Sequence, residues 1–392
     1  MNTEHLFVLL SVLLGLLLIG LLRRFDIHEK EPLWAMLAVA VWGGFWSVVL
    51  TASGYWTLSV LGIRNPTAWL GPLLIVGPLE ESAKLVALIT SYPIIRRELD
   101  EPTDGLIYMA CVALGFSLIE NYYYSAGSPT GGQTLILRLI VCTPMHVLFS
   151  APMGLAFYQV VRSGASRIVL FGALLYASFA HGLYDLVIVN SWAAWSLLLI
   201  VWFTFWWVSK LLGYTTAASP HRQTLAQFVA RSGESPLGMG LMCLNCGSEA
   251  DKRTYRHGKI SFQKCDRCPA YVISRKSLLQ LFRHYGAAFG RLGKYRVAAV
   301  PGEREFASLY QGNYISKDKN LAFFFLDELD AALENLNSKV VARHEGNPFF
   351  RRFFGVETGP PGSAVKQGDE VSRNSPPGPS PPSGPEERPP SY

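Results

Sequence analysis

The chain opens on a series of long apolar runs separated by short polar intervals, and the pattern stops near Tyr214. Leu6 to Leu22, Leu33 to about Ser53, about Trp69 to Thr90, Gly105 to about Tyr124, Leu135 to Val161, Ile168 to Val189 and Trp192 to Leu212 form the series. Each run is near the roughly 20 residues that a helix needs to cross about 30 Å of hydrocarbon. The pattern predicts an all-α polytopic membrane domain over residues 1–214 with about seven spans. Leu33 to Ile63 is long enough to hide a tilted or re-entrant continuation. Beyond a linker at 215–238, paired cysteines and mixed charge replace the apolar runs. Residues 239–275 read as a zinc ribbon and 276–355 as a small α or α+β module, with helical spacing at Ser277–His284 and Leu321–Leu336 and a strand at Tyr295–Val300. From residue 356 onward Pro, Gly, Ser and charge cannot bury a core, which predicts a disordered Pro-rich tail.

Charge sets the orientation. Arg23, Arg24, Lys30, Arg96, Arg97, Arg162, Arg167 and Lys210 fall in alternate connections, while the others, around Arg64, around Gly127–Gln133 and at Asn190–Ser191, carry almost no Lys or Arg. The positive-inside rule then puts the N-terminus outside and the C-terminal region in the cytoplasm of a multi-pass protein of the cell membrane. Met1–His5 holds no Lys or Arg and no small-x-small cleavage site ends the first run, so that run reads as a retained signal anchor. The net charge of +6 is better read as orienting charge than as a footprint for nucleic acid, and no nucleic-acid partner is expected.

Against this apolar background, ionisable side chains lie inside the spans: Glu80, Glu81 and Lys84 in the third, Glu120 in the fourth, His146 in the fifth, His181 and Asp185 in the sixth. A charge at the centre of a membrane helix costs roughly 2.5–3.5 kcal/mol, so such groups are expected to face one another around a hydrated cavity. The spans alternate in direction and place the groups at similar depths. One such residue is commonly a helix–helix hydrogen-bond partner; so many at one depth exceed that role. Lys84 is equally well explained as a structural partner of Glu80, and Asn121 either binds a substrate carbonyl or orients Glu120. Gly71, Pro72, Gly77 and Pro78 precede the glutamates, consistent with a kinked or opened helix lining a cavity.

Glu, His and Asp together suit hydrolysis, which needs an activated water, a stabilised oxyanion and a proton for the leaving group. In a metal version a divalent ion, zinc by preference, sits on His146 and His181 with carboxylates drawn from Glu80, Glu81, Glu120 and Asp185; Glu120 and Asp185 are the expected ligands and a remaining glutamate the base. In a metal-free version Glu80 or Glu81 activates the water while a histidine and Asn121 hold the oxyanion. The chain has no HExxH, so both versions stay open, with the metal version preferred.

The order EExxK, FxxxEN, His and HxxxD on successive spans resembles the PrsW family of intramembrane proteases, with a distant similarity to CAAX-processing and bacteriocin-processing proteases. Glu29-Lys30-Glu31-Pro32 resembles that family's acidic Glu-Pro loop and Asp104-Gly105 its Asp-Gly step. The resemblance covers about residues 1–190. It implies cleavage of membrane-associated proteins, as in the family's best-known role of cutting an anti-sigma factor, with Glu80, Glu81, Glu120, Asn121, His146, His181 and Asp185 as site residues. An inactive membrane receptor or scaffold and a proton-coupled transporter are the alternatives; a transporter should show repeat-related halves, and none is seen.

Cys243-x-x-Cys246 and Cys265-x-x-Cys268 have the spacing of a four-cysteine zinc site. In the cytoplasm a disulfide is disfavoured, and four thiolates make a closed, structural zinc site. The second knuckle resembles a transcription-factor-IIB-type zinc ribbon, a module that more often binds protein; a cytoplasmic protein partner is therefore the expected ligand.

Overall fold

A computed structural model describes residues 3–63, 65–190, 194–235, 243, 246, 253–274, 277–278, 280–281 and 321–348. The expected strand at Tyr295–Val300, half of the expected helix at Ser277–His284 and the Pro-rich tail lie outside the described residues.

The apolar runs are helices: α1 (Thr3–Leu22), α2 (Leu33–Val60), α3 (Gly77–Ile95), α4 (Pro102–Ala126), α5 (Gly131–Leu137), α6 (Thr143–Arg162), α7 (Arg167–Val189) and α8 (Ala194–Ala218). π-helical turns at Pro72–Val76 and Arg138–Cys142 lead into α3 and α6. Leu33–Val60 is one continuous helix of 28 residues, so no re-entrant turn interrupts it. Six helical stretches among the described residues are long and apolar enough to cross a membrane, with 131–162 counted as one. The run that carries Glu80, Glu81 and Lys84 is not among them, because those charges fall near the start of α3.

The lipid-facing and buried helices separate by side chain. α1 and α8 present exposed Leu13, Leu16, Leu17, Leu198, Trp202 and Phe205, as expected of helices bathed in acyl chains. α4 is the central helix: Ile107 to Leu114 are all buried, packed with Met36 and Val39 of α2 and with Met153 and Phe157 of α6. Small residues let the backbones meet. A Cβ placed on Gly105 would lie 2.3 Å from the carbonyl oxygen of Gly154, so α4 and α6 touch backbone to backbone.

The C-terminal part of unit 1–356 contains an antiparallel sheet in the order β1 (Gly233–Ser235), β2 (Arg253–His257), β3 (Ile260–Lys264), β4 (Ala270–Ser274), β5 (Leu321–Phe325). Helices α9 (Leu225–Arg231) and α10 (Leu326–Glu345) cover it through Phe228, Phe262, Ile273, Phe324 and Leu329. Two expectations change. The stretch 215–238 is no bare linker, since it holds the end of α8, then α9 and β1. Leu321–Leu336 is not helical throughout: Leu-Ala-Phe-Phe-Phe fits a strand as well as a helix, and pairing with β4, including Tyr271 stacked on Phe324 at 5.3 Å, makes it β5. That pairing also joins residues 253–274 and 321–325 in one sheet.

The junction between bundle and sheet is polar. Ser219, just after α8, donates to Glu101, and His221 Nε2 lies 3.0 Å from both Glu29 and Asp100. Arg222 grips Glu334 of α10 at 2.7 and 2.9 Å, and Asp330 caps the first N–H groups of α9.

Candidate active site

α3 is held against α7 at a point where neither backbone tolerates a side chain. A Cβ on Gly77 would lie 2.3 Å from the Ser178 carbonyl oxygen, and one on Gly182 would lie 2.6 Å from Leu73 Cα. One turn along from these glycines are Glu80 and Glu81 on α3, with His181 beside Gly182 on α7. Glycine at the crossing thus sets the distance between carboxylates and imidazole.

Glu81 is wholly buried and fully used. Its Oε1 accepts from Lys84 Nζ at 2.7 Å and from His181 Nδ1 at 2.8 Å, and its Oε2 accepts from Ser150 Oγ at 2.6 Å. An ionised carboxylate only accepts, so the hydrogen on Nδ1 of His181 is directed to Glu81. In neutral His181 the Nε2 lone pair then points away from Glu81, towards Asp185 Oδ2 at 3.4 Å and Glu80 Oε2 at 3.8 Å. Glu80 Oε1 accepts from Tyr55 at 3.1 Å, whereas its buried Oε2 has no hydrogen-bond partner among the described residues.

The second histidine is held differently. Lys84 Nζ is 3.0 Å from His146 Nδ1 and sits over the Phe116 ring at 4.3 Å. A charged ammonium only donates, so Nδ1 accepts and neutral His146 keeps its hydrogen on Nε2, 2.9 Å from Glu120 Oε2. Arg138 Nη2 reaches the same oxygen at 2.8 Å. Asn121 is buried, its amide nitrogen 2.8 Å from Thr143 Oγ1 and its oxygen 2.9 Å from Arg138 Nε.

The structure therefore brings Glu80, Glu81, Lys84, Glu120, His146 and His181 into one cluster, with Asp185 at its margin, 29% exposed. Lys84 pairs with Glu81 rather than with Glu80. Asn121 faces the scaffold and orients Arg138 and Thr143. The ligand atoms of Glu80, His146 and His181 all lie within 4.8 Å of one another and could hold a metal ion; Glu80 stands where Glu120 and Asp185 were expected. Sequence reasoning overlooked Arg138, Tyr55 and Ser150. Arg138 carried a usable signal, being a full charge inside the fifth apolar run; a tyrosine and a serine in a membrane helix carry none.

A metal suits part of this donor set as it stands. Glu80 Oε2, His181 Nε2 and Asp185 Oδ2 are acceptors facing acceptors, an arrangement that a cation or a proton satisfies. In their ordinary ionised forms four carboxylates oppose only Lys84 and Arg138, and a divalent ion would balance the remainder. His146 can offer Nε2 only with its hydrogen moved to Nδ1, which requires a neutral Lys84.

The four cysteines form a second group within ligand distance, with Sγ separations of 3.6 Å for Cys243–Cys268 and Cys246–Cys265. Four sulfurs about 2.3 Å from a tetrahedral zinc stand about 3.8 Å apart, close to these separations. The group could hold one zinc.

Carboxylates and histidines converge inside the helix bundle, an arrangement that suits intramembrane hydrolysis. Residues 31–209 match the family described as PrsW family intramembrane metalloprotease. Protease PrsW of Clostridioides difficile (strain 630) is 28% identical over 213 residues, covering 53% of this chain and 87% of that protein. Protease PrsW of Geobacillus kaustophilus (strain HTA426) is 29% identical over 205 residues, 50% of this chain and 85% of that one. Protease PrsW of Bacillus subtilis (strain 168) is 30% identical over 138 residues, 33% and 60% of the two chains. No solved structure matches. Over residues 31–209 the chain is thus similar to the PrsW family of intramembrane proteases.

Proposed function

We propose that the protein hydrolyses a peptide bond of a membrane-associated protein in a water-filled cavity around Glu80, Glu81, Glu120, His146 and His181. The observation that carries this reading is the facing set of acceptors at Glu80, His181 and Asp185, which is costly inside a bundle unless water, a proton or a cation enters. Substrates of the anti-sigma-factor kind are the class that the family resemblance suggests, with the C-terminal module in the cytoplasm recruiting or regulating.

A divalent ion, zinc by the chemistry of the donors, would be held by Glu80 and His181, joined by His146 only where Lys84 has given up its charge, and would supply an acidified water and a polarised carbonyl. The remaining roles belong to the chain. Glu81, fixed by Lys84 and Ser150, holds the His181 ring so that Nε2 faces the reaction. Glu120 is the carboxylate left to take the proton of the attacking water and return it to the departing amine. Lys84 stays behind the site, wholly buried, where it neutralises Glu81 and orders His146.

Purified protein incubated with single-span candidate substrates, with and without chelator, tests the reading. Glu81→Gln, His146→Ala and His181→Ala should each lower cleavage by at least about 10³-fold while insertion into membranes is retained, because groups acting as a unit fail together. Full activity in any two of the three would remove this site from the chemistry. Chelator-resistant cleavage would favour the metal-free version, with Glu80 as base.

A further inference from the structure

Arg138 is a charged side chain beside the cluster to which the proposed chemistry gives no task. It comes from the π-helical turn before α6, and all three of its contacts lie on α4. Nη2 meets Glu120 Oε2 at 2.8 Å, Nε donates to Asn121 Oδ1 at 2.9 Å, and the guanidinium lies over the Tyr124 ring at 3.9 Å. Asn121 is itself anchored to Thr143 at 2.8 Å, so the fork cannot swing. A lysine could copy the charge but not this two-pronged geometry.

The geometry points to Arg138 as the positioning residue for Glu120. This rests on the reading of Glu120 as the proton carrier. Glu120 has two oxygens, and both Arg138 Nη2 and His146 Nε2 approach the same one, Oε2, at 2.8 and 2.9 Å. Among the described residues nothing binds Oε1, and Glu120 keeps 17% of its side chain exposed. Arg138 thus holds one oxygen by an ion pair, while the other has no bond among the described residues and is left to meet an attacking water. Lys84 cannot serve this purpose: it is wholly buried and committed to Glu81 and His146.

The test uses full-length protein and compares Arg138→Gln, Arg138→Lys and Glu80→Gln with the parent, reading kcat, KM and the thermal midpoint. Loss of the clamp should lower kcat by about 10²-fold, the order expected for a misplacement of about 1 Å, with KM within about twofold and the midpoint little changed. Arg138→Lys should recover about tenfold of that loss, since it keeps the charge at Glu120 and forfeits Asn121. An unchanged kcat in Arg138→Gln overturns the proposal. So does a risen KM at constant kcat, which would make Arg138 a substrate-binding group, or equal losses in both variants with a lowered midpoint, which would make it a fold clamp. Parental cleavage by Glu80→Gln would instead refute the proposed site, whatever the Arg138 variants do.

Discussion

Gly77→Ala is the smallest change that should separate the two halves of the site. The added Cβ would lie 2.3 Å from the Ser178 carbonyl oxygen and 2.8 Å from the Gly182 nitrogen, both backbone atoms of α7 that cannot rotate away. Ordinary contact begins near 3.4 Å, so α3 and α7 must part by about 1 Å. Overpacking of this kind costs about 1–3 kcal/mol, which a bundle this size can survive. Glu80 and Glu81 ride on the displaced helix within one turn of the insertion, and the 2.8 Å contact between Glu81 and His181 would open to a length at which little hydrogen bond remains. Cleavage of a single-span substrate should therefore fall about 10²-fold while the protein still folds and inserts. Gly213→Ala is the control: nothing lies within 4 Å of its Cβ, and a helical alanine there should gain about 0.5–1 kcal/mol with activity unchanged. A Gly77→Ala protein with parental kcat would show that the α3–α7 spacing does not set the geometry of catalysis.

Two further predictions concern the part beyond the bundle. Cys265→Ser should remove one zinc per chain from the purified protein by elemental analysis and lower the thermal stability of the sheet, leaving hydrolysis of a minimal substrate within about threefold of the parent; unchanged zinc content would dismiss the four-cysteine site. At the junction, burial pushes both Glu31 and Glu101 up to about 7, well above the ordinary 4.5. A raised carboxyl contributes stability that is complete below its unfolded value and is lost as pH rises through the folded one, so the thermal midpoint should fall between about pH 4.5 and 7 and keep falling slightly beyond. Glu31→Gln should flatten that fall, and an identical slope in the variant would assign the pH dependence elsewhere.

The membrane helices were legible because lipid imposes a simple pattern: long apolar runs, with any charge conspicuous against them. The same contrast names the polar cluster residue by residue, from Glu80 to Asp185. What the pattern withheld was pairing. Lys84 could be matched with Glu80 or Glu81 on helical spacing alone, and only the packing of α6 and α7 around α3 commits it to Glu81 and His146. Arg138 was legible as a charge but was absorbed into an apolar run, since its partners Glu120 and Asn121 are distant in sequence. In the C-terminal module the cysteines were clear, whereas Leu321–Phe325 was not, because five bulky residues fit either period until β4 supplies a partner.

The buried charges are arranged in two tiers, and the tiers explain why a protease site would hold more ionisable groups than hydrolysis consumes. The inner tier, Glu81 with Lys84 and Ser150, is wholly buried, and Glu81 has both oxygens satisfied. Its cost is that of taking a charge pair out of water, offset by close hydrogen bonds, and its product is two histidines with fixed tautomers. The outer tier, Glu80, Glu120, Asp185 and Arg138, is partly open and incompletely satisfied, with Glu80 Oε2 lacking any hydrogen bond among the described residues. The outer carboxylates, with His181 Nε2, are the acceptors left facing one another, where a proton or a cation would be accommodated. A substitution in the inner tier should therefore act through the geometry of His146 and His181, and one in the outer tier through the reacting atoms themselves.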